Sequence, residues 1–424
     1  MARNGNFLSI LSSVFEQRRA GVVPHDGRSI IEQSGDLMDA KGETSILRLS
    51  RSILATYTGL SDADRTAFFD YLCEDLDLSP REVKEYAEIY DDMPSTEALS
   101  ALLEAAEPKR QTFFRKLNYA EGATAQLVQM RYDLLRDMRQ HPEFARVDLD
   151  LVHLFASWFN RGFLVLRRID WSTPADILEK IIAYEAVHEI NDWDDLRRRT
   201  QPADRRCYAY FHPRMPDDPL IFVEVALCPG IPESIQEVLS DIREAEDPAA
   251  LDTAVFYSIS NCQPGLHGIS FGESLIKHVA ADLSDEFPQI QTFVTLSPIP
   301  RLRRWAKESG GLTDPPYTPE DLRALAAHYL TQVKRADGHP LDPVARFHLS
   351  NGAQVHNLLA GADLSENGLG QSWGAMVNYL YDTGALEDRS DAYASERRVF
   401  ASRAVQSLAR QGAGQTTEKG ATAQ

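Results

Sequence analysis

Apolar side chains recur three or four positions apart through residues 1–160, which is the spacing of one face of an α-helix. Ser61 opens one periodic segment, and Ser79 followed by Pro80 opens the next; these residue types are helix start signals. The longest segment, 108–140, repeats Leu127, Met130, Leu134 and Met138. The pattern predicts an all-helical N-terminal domain that serves packing and oligomerisation without chemistry of its own.

After Trp158 the pattern changes to short runs of β-branched and aromatic residues between helical segments. Strands are predicted at 206–211, 219–228, 253–260 and 290–296, and helices at 173–190 and 272–285. We therefore expect a mixed α/β domain over residues 161–408. The Gly-, Thr-, Ala- and Gln-rich residues 409–424 predict a disordered tail.

The charge balance narrows the class of partner. The 424 residues contain 44 Lys and Arg against 63 Asp and Glu, a net charge of −19. A general nucleic-acid binder needs clustered positive charge, so we expect no nucleic-acid partner. A hydrophobic share of 43% and a charged share of 25% are ordinary for a globular protein, so a wholly disordered chain is excluded.

Cysteine usage and hydropathy predict a cytoplasmic protein. Four cysteines without a CxxC pair, and the absence of HExxH, indicate neither a disulfide scaffold nor a zinc site. The best apolar stretch, 219–231, is interrupted by Glu224 and Pro229, so we expect no membrane span. An apolar patch at 7–15 runs into charged residues instead of a cleavage site, so we do not expect a signal peptide.

A glycine-rich stretch, residues 261–273 (NCQPGLHGISFGE), joins a predicted strand to a predicted helix. Gly265, Gly268 and Gly272 permit a tight turn that exposes backbone amides beside the positive end of a helix. This pattern predicts a phosphate cradle, although an ordinary turn can look the same.

Two named motifs compete for this stretch. Its glycine spacing is not GxGxxG, so a dinucleotide site is poorly supported. Residues 268–272 do spell GxSxG, the nucleophile elbow of α/β-hydrolases. An elbow needs its serine directly after the strand, whereas Pro264 and Gly265 intervene here and no HGGG-type segment is present. The elbow is disfavoured.

Two further positions carry candidate chemistry. Ser297 stands where a predicted strand ends, and Pro298 and Pro300 stiffen the chain after it; a fixed hydroxyl there suits a site or a turn cap. His348 precedes an Asn-Gly turn and is a candidate acid or base. Two basic runs could bind a polyanionic cofactor or form a solvated or intersubunit face. They are Arg301, Arg303, Arg304 and Lys307, and Arg197, Arg198, Arg199, Arg205 and Arg206.

Several strings together resemble the malonyl-CoA decarboxylase family, in the family's order over roughly residues 60–385. They are LNYAEGATAQLVQMRYDLL (117–135), SWFNRGFLVLRRIDW (157–171), ISNCQPGLHGISFGESLIK (259–277), TLSPIPRLRRW (295–305), FHLSNGA (347–353) and MVNYLYD (376–382).

The resemblance implies an α+β fold, with an N-terminal helical domain followed by an acetyltransferase-like (GNAT-type) mixed α/β catalytic domain. In the latter fold a strand, a glycine-rich loop and a helix hold the pyrophosphate of coenzyme A. The resemblance assigns Ser297 and His348 as catalytic and Tyr381 as an active-site tyrosine that binds the substrate. Animal members carry a carboxylate at the position of Ser270, so this chain departs from the pattern there. The implied acyl-CoA-binding residues are His267, Gly268, Ile269, Ser270, Phe271, Gly272 and Glu273.

The implied reaction releases CO₂ from malonyl-CoA and leaves acetyl-CoA. The thioester carbonyl of the substrate accepts the electrons, so we expect neither a metal nor an organic cofactor. The protein must bind the CoA phosphates, hold the thioester oxygen as charge develops, and deliver a proton to the α-carbon. Our hypothesis is that Ser297 and His348 form a hydrogen-bonded pair that orients the carboxylate and protonates the enolate.

Two other functions stay open at this point. One is an acyl-CoA-dependent acyltransferase, which needs an acceptor, and the other is a non-catalytic acyl-CoA-binding regulator. The resemblance also implies a homo-oligomer, expected to be a tetramer, with the helical domain in its interfaces. The sequence leaves open whether the protein serves malonate breakdown or fatty acid metabolism.

Overall fold

The computed structural model describes residues 27–240, 247–269, 275–310, 312, 315 and 318–420. The chain forms two compact units. The first contains the described residues up to Leu164 together with those of His212–Asp218 and Gln263–Ser270, and the second contains the rest. In the described part of the chain, no helix is long and apolar enough to cross a membrane.

The first unit is helical, as the spacing of its apolar residues predicts. Serines cap some of its helices. Ser61 accepts from the backbone N–H of Asp64, and Ser79 accepts from that of Glu82, so both predicted caps are confirmed. The helices are α1 (Ile30–Asp39), α2 (Glu43–Thr58), α3 (Asp62–Glu74), α4 (Pro80–Asp92), α5 (Thr96–Ala105), α6 (Lys109–Leu117), α7 (Ala123–Asp137) and α8 (Ala145–Trp158).

A phenylalanine cluster forms the core of this unit. Phe68, Phe69, Phe113 and Phe144 are fully buried, and the rings of Phe69 and Phe144 meet edge to face at 5.6 Å. Aromatic rings in this arrangement contribute packing and electrostatic stabilisation together. The helices therefore hold one another through their apolar faces.

The second unit is built around a mixed eight-stranded sheet with the order β1-β2-β3-β4-β5-β8-β6, in which β7 also pairs with β8. This confirms the predicted fold class, a helical region followed by a mixed α/β region. The strands are β1 (Val165–Ile169), β2 (Arg205–His212), β3 (Met215–Cys228), β4 (Thr253–Asn261), β5 (Thr292–Thr295), β6 (Ser297–Pro298), β7 (Gln354–Leu359) and β8 (Met376–Leu380).

Strands β4 and β5 run parallel and then separate. Their register begins at Thr253 opposite Thr292 and ends at Phe256 opposite Thr295, and the backbone N–H of Leu296 still donates to the carbonyl of Phe256. Beyond that bond β4 continues to Asn261, whereas the segment that follows β5 turns into β6 and pairs with β8. A wedge therefore opens between the two strands.

The helices of the second unit follow the predicted order with two changes. The predicted helix 173–190 ends early, at Tyr184, and a separate helix starts at Trp193 after Asp192 caps it. The predicted helix 272–285 is observed from Leu275, and residues 272–274 lie outside the described residues. The helices are α9 (Ala175–Tyr184), α10 (Trp193–Thr200), α11 (Ile235–Leu239), α12 (Leu275–Glu286), α13 (Leu302–Gly310), α14 (Pro319–Gln332), α15 (Pro343–Ser350), α16 (Glu366–Ser372), α17 (Leu386–Glu396) and α18 (Arg403–Gly420).

The tail differs from the expectation of disorder over 409–424. Helix α18 continues to Gly420, Ala409 is buried, and a Cβ at Gly412 would lie 2.2 Å from the carbonyl oxygen of Ala324 in α14. Small residues that lower the hydrophobicity of this segment thus allow two helices to approach closely. Residues 421–424 lie outside the described residues.

Candidate active site

Ser297 is held at the bottom of the wedge between β4 and β5. Its backbone belongs to β6, where it pairs with Val377 of β8 and is followed by Pro298. The residue is 5% exposed. The strand end and the proline fix the backbone, so the hydroxyl has a defined position, as the sequence predicts.

His348 is brought to Ser297 by helix α15. Asp342 caps this helix by accepting the backbone N–H groups of Val344 and Ala345, and His348 lies in its last turn. The imidazole Nε2 is 3.1 Å from Ser297 Oγ. The chain then turns at Gly352 (φ 82°), where a Cβ would lie 2.1 Å from a backbone oxygen, so this glycine is required sterically.

Tyr381 and Tyr379 complete the surroundings of the imidazole. The Tyr381 hydroxyl is 2.7 Å from Nδ1 of His348, and the ring of Tyr379 stacks on the imidazole with centroids 4.4 Å apart. The structure therefore brings together Ser297, His348 and Tyr381, which lie 51 and 33 residues apart along the sequence.

Burial sets the protonation of these groups. It lowers the pKa of His348 to about 3 from a usual value of 6.5, because the charged imidazolium would lose its water. Burial also raises the pKa of the Tyr381 hydroxyl. At neutral pH the site thus contains a neutral imidazole and a neutral phenol, joined through hydrogen bonds to a serine hydroxyl.

A cavity of about 240 Å³ occupies the wedge, with Ser297 and His348 on its wall. Most of the remaining wall is apolar and aromatic. A pocket of this size and character suits a short acyl group. Its other lining residues are Val187, Phe256, Tyr257, Ile259, Asn261, Pro298, Pro343, Val344 and Phe347.

One wall of the cavity is fixed by Glu185, which the sequence does not single out. Its carboxylate accepts the hydroxyls of Ser258 (2.8 Å) and Ser260 (3.2 Å) on β4, and the backbone N–H groups of Val187 and His188 at 2.8 Å each. The two serine bonds attach the segment after α9 to the strand, and the two backbone bonds fix the turn of that segment. Val187 is thereby held against the cavity.

The predicted acyl-CoA loop is only partly described. His267 and Gly268 are exposed, Ile269 is buried, and Gly268 has a φ of 81°, a value that favours glycine. These three residues belong to the first unit. Ser270, Phe271, Gly272 and Glu273 lie outside the described residues, so their predicted roles stay predictions.

Helix α7 supports the start of this loop. A Cβ at Gly265 would lie 1.9 Å from the carbonyl oxygen of Val128, so the loop backbone touches the helix directly. Arg131 donates to the carbonyl oxygens of Gly265 (2.7 Å) and His267 (2.9 Å), and Asp148 holds the same guanidinium at 2.7 Å. No sequence pattern distinguishes Arg131 from other helical arginines, so only the fold reveals this contact.

The two basic runs differ in burial and in the partners of their arginines. In the run at 197–206, three arginines are buried and paired with carboxylates, which favours a structural role. In the other run Arg304 pairs with Glu308, and Arg303 lies over the ring of Trp373. The buried pairs are Arg199 with Asp195 and Glu224, Arg205 with Asp204, and Arg206 with Glu286.

The geometry also bears on two alternatives, a metal site and a serine elbow. Among the described residues, no three His, Cys, Asp or Glu side chains lie close enough together to hold a metal ion. A 3₁₀ turn, Pro264–Leu266, separates β4 from Gly268. An elbow serine cannot follow the strand directly in this geometry.

A helical unit, a mixed-sheet unit and a buried serine–histidine pair facing a cavity together define an enzyme. A model of the malonyl-CoA decarboxylase N-terminal domain matches residues 77–159, and one of the C-terminal domain matches residues 162–321 and 317–419. The chain belongs to the malonyl-CoA decarboxylase family, a family of carboxy-lyases.

Individual relatives are similar to this chain over most of their length. The chain is 46% identical to the malonyl-CoA decarboxylase of Rhodopseudomonas palustris, with a TM-score of 0.84 to its crystal structure over 89% of this chain and 98% of that one. It is 42% identical to the Agrobacterium vitis protein of the same name, with a TM-score of 0.83 over 90% and 100% of the two chains. The mitochondrial malonyl-CoA decarboxylase of Anser anser anser is 32% identical, over 86% of this chain and 84% of the goose protein.

Proposed function

We propose that this protein converts malonyl-CoA to acetyl-CoA and CO₂. The observation that carries the proposal is the buried Ser297–His348 pair on the wall of a small apolar cavity between two separating strands. The names of the relatives supply the substrate, and the site supplies groups suited to it. A malonyl group has few heavy atoms and fits a cavity of this size.

The reaction needs few functional groups from the protein. The bond between the α-carbon and the carboxylate breaks, and its electron pair moves into the thioester carbonyl, which becomes an enolate oxygen. CO₂ leaves, and a proton added to the α-carbon gives acetyl-CoA. The thioester acts as the electron sink, so we propose that neither a metal nor an organic cofactor takes part.

The character of the cavity favours loss of CO₂. Phe256, Ile259, Val344 and Phe347 on its wall offer little solvation to a carboxylate, whereas the enolate spreads its charge towards an oxygen that a hydroxyl can contact. A positioned donor stabilises charge as it develops on that oxygen. The Ser297–His348 pair would orient the carboxylate and then protonate the enolate, and water would restore the proton.

Tyr381 takes an orienting role in this proposal instead of direct substrate binding. Its hydroxyl is directed at Nδ1 of His348, and it is not among the residues that line the cavity. The CoA moiety would lie on the stretch from His267 to Glu273, which includes Ser270, Phe271 and Gly272. Support for this assignment is the exposure of His267 and Gly268.

The test is turnover of malonyl-CoA by the purified protein with no metal and no acyl acceptor added. Acetyl-CoA and CO₂ are followed for the wild type, Ser297→Ala and the control Ser50→Ala, which removes a buried serine of helix α2. Turnover that is lost only in Ser297→Ala supports the proposal. CoA binding without turnover contradicts it and favours the acyltransferase or the regulator, which a screen of acceptors then separates.

We also propose a homotetramer in which the helical unit forms contacts between subunits. Helix α4 buries none of its residues, and Ile89 and Met93 at its exposed end and Leu103 on α5 are exposed. Such an apolar surface is typical of a protein interface. Light scattering of the wild type and of Ile89→Glu tests this.

The cytoplasmic location stays a prediction, since the animal relatives are named mitochondrial. The choice between malonate breakdown and fatty acid metabolism stays open.

A further inference from the structure

Thr295, which the function proposed above does not use, lies directly against Ser297. It ends β5 two positions before the serine, and it is fully buried. Successive side chains of an extended chain alternate between faces, so residues two apart point the same way. The Ser297 hydroxyl donates to Thr295 Oγ1 at 2.8 Å.

The Thr295 oxygen is itself fixed by strand β8. The backbone N–H of Tyr379 donates to Thr295 Oγ1 at 3.1 Å, and the side-chain amide of Asn378 donates to the Thr295 carbonyl at 3.0 Å. A hydroxyl oxygen has two lone pairs. The Tyr379 amide and the Ser297 hydroxyl occupy both, so Thr295 acts as an acceptor whose position the sheet determines.

The Ser297–Thr295 bond fixes the direction of the rest of the hydrogen-bond chain. Within the described part of the chain, the one hydrogen-bond partner of the Tyr381 hydroxyl is His348 Nδ1 at 2.7 Å. Because the Ser297 O–H donates to Thr295, its oxygen is left to accept from His348 Nε2, so Nδ1 of the imidazole accepts from the Tyr381 hydroxyl. A neutral imidazole then carries its proton on Nε2 and donates it to Ser297 Oγ. Ser297 in turn donates to Thr295.

This direction is opposite to that in a serine hydrolase. There the histidine accepts the serine proton, and its second nitrogen donates to a carboxylate, so the serine becomes a nucleophile. Here Nδ1 of His348 accepts a hydrogen bond from the Tyr381 hydroxyl, and the Ser297 oxygen accepts one from Nε2. The arrangement prepares the Ser297 O–H as a donor instead of preparing its oxygen to attack.

We propose that Thr295 is a positioning residue of this site. Before substrate binds, its hydroxyl oxygen accepts a hydrogen bond from the Ser297 O–H and so fixes the rotamer of Ser297 on the cavity wall. When the acyl thioester binds, its oxygen replaces Thr295 as the acceptor after a rotation of the Ser297 O–H. No covalent bond forms or breaks in this exchange. The inference rests on the proposed decarboxylase function.

Three substitutions separate the oxygen of Thr295 from its methyl group. Thr295→Ser keeps the oxygen and loses the methyl, Thr295→Val loses the oxygen and keeps the methyl volume, and Thr295→Ala loses both. If the oxygen positions Ser297, kcat follows the oxygen: the Ser variant retains most of the turnover, and the Val and Ala variants fall about 10- to 100-fold, the rate equivalent of one orienting hydrogen bond.

A second readout separates positioning from general damage. Thr295 does not line the cavity, so KM for malonyl-CoA should stay within about threefold while kcat falls. Far-UV circular dichroism and thermal unfolding of each variant check the fold. Where Thr295→Val does not fold because a methyl group replaces the oxygen at the Tyr379 N–H, the smaller Thr295→Ala leaves room for a water there, and its comparison with Thr295→Ser gives the same test.

The outcomes are distinct for the two proposals. Rates that follow side-chain size, with Val near wild type and Ser near Ala, overturn the positioning role and show a packing role. Equal rates in all variants overturn it as well. A wild type that does not turn over malonyl-CoA overturns the proposed function and, with it, the basis for this role. When the wild type is active and Ser297→Ala is inactive, the proposed function holds and the Thr295 variants test the positioning role alone.

Discussion

Replacing His348 by Asn should flatten the dependence of stability on pH between about pH 7.5 and pH 5. The native imidazole has a pKa of about 3, because burial opposes its charged form, against a usual 6.5 for the unfolded chain. Between these values the unfolded chain binds a proton that the native chain excludes. Acid therefore favours unfolding: the stability contribution is full above pH 6.5 and is lost as the pH falls towards 3.

The size of the effect follows from these two pKa values. Integrating the difference in proton binding gives a loss of about 2 kcal/mol at pH 5, and of about 0.1 kcal/mol or less at pH 7.5. The wild type should therefore lose about 2 kcal/mol more free energy of unfolding over this range than His348→Asn does. Other buried groups, such as His188, contribute equally to both proteins.

Urea unfolding at four pH values between 7.5 and 5 measures this difference. Tryptophan fluorescence reports the transition at fixed protein and salt concentration, and equal m-values keep the comparison valid. His153→Asn, which removes an exposed histidine, serves as the control. Parallel curves for the wild type and His348→Asn would show that the imidazole is not held neutral by burial, and the direction of the hydrogen-bond chain would lose its basis.

Three further predictions concern the loop and the tyrosine. Gly265→Ala should destabilise the protein by about 1–3 kcal/mol, because its Cβ overlaps a helix carbonyl; thermal unfolding measures this, and Gly35→Ala, at an open helical position, should show no such loss. Arg131→Met should raise KM for malonyl-CoA several-fold at similar kcat in steady-state kinetics, and an unchanged KM contradicts the supporting role. Tyr381→Phe should lower kcat about tenfold with KM retained, because either imidazole tautomer becomes available; a wild-type kcat shows that the phenol does not set the tautomer.

The sequence predicts elements where local chemistry decides them. Ser61 and Ser79 cap helices as expected, because a serine before an apolar repeat satisfies backbone N–H groups that have no partner inside the helix. The change from helical spacing to alternating β-branched runs likewise locates the mixed sheet. Element ends are less certain: the predicted helix at 173–190 breaks after Tyr184, where Glu185 turns from the helix towards the hydroxyls of β4.

Partners distant in sequence could not be predicted from local patterns. His348 meets Tyr381 because β7 and β8 form an antiparallel pair between them, a tertiary arrangement that no spacing reveals. Thr295 is different, since the Thr-x-Ser spacing at a strand end already places both hydroxyls on one face. A signal for that contact was present in the sequence, and only the strand register was needed to interpret it.

In the helical region, one element joins a packing role to the support of the loop that we propose binds CoA. Apolar spacing alone describes α7 as a core helix, and its buried face agrees with that description. The same helix places the Val128 carbonyl against Gly265 and the Arg131 guanidinium on two carbonyls of the loop. The packing that stabilises α7 therefore also determines where the loop backbone lies. A substitution in the core of α7 should change the position of Arg131 before it changes any residue of the serine–histidine pair, so its first kinetic effect should appear in KM.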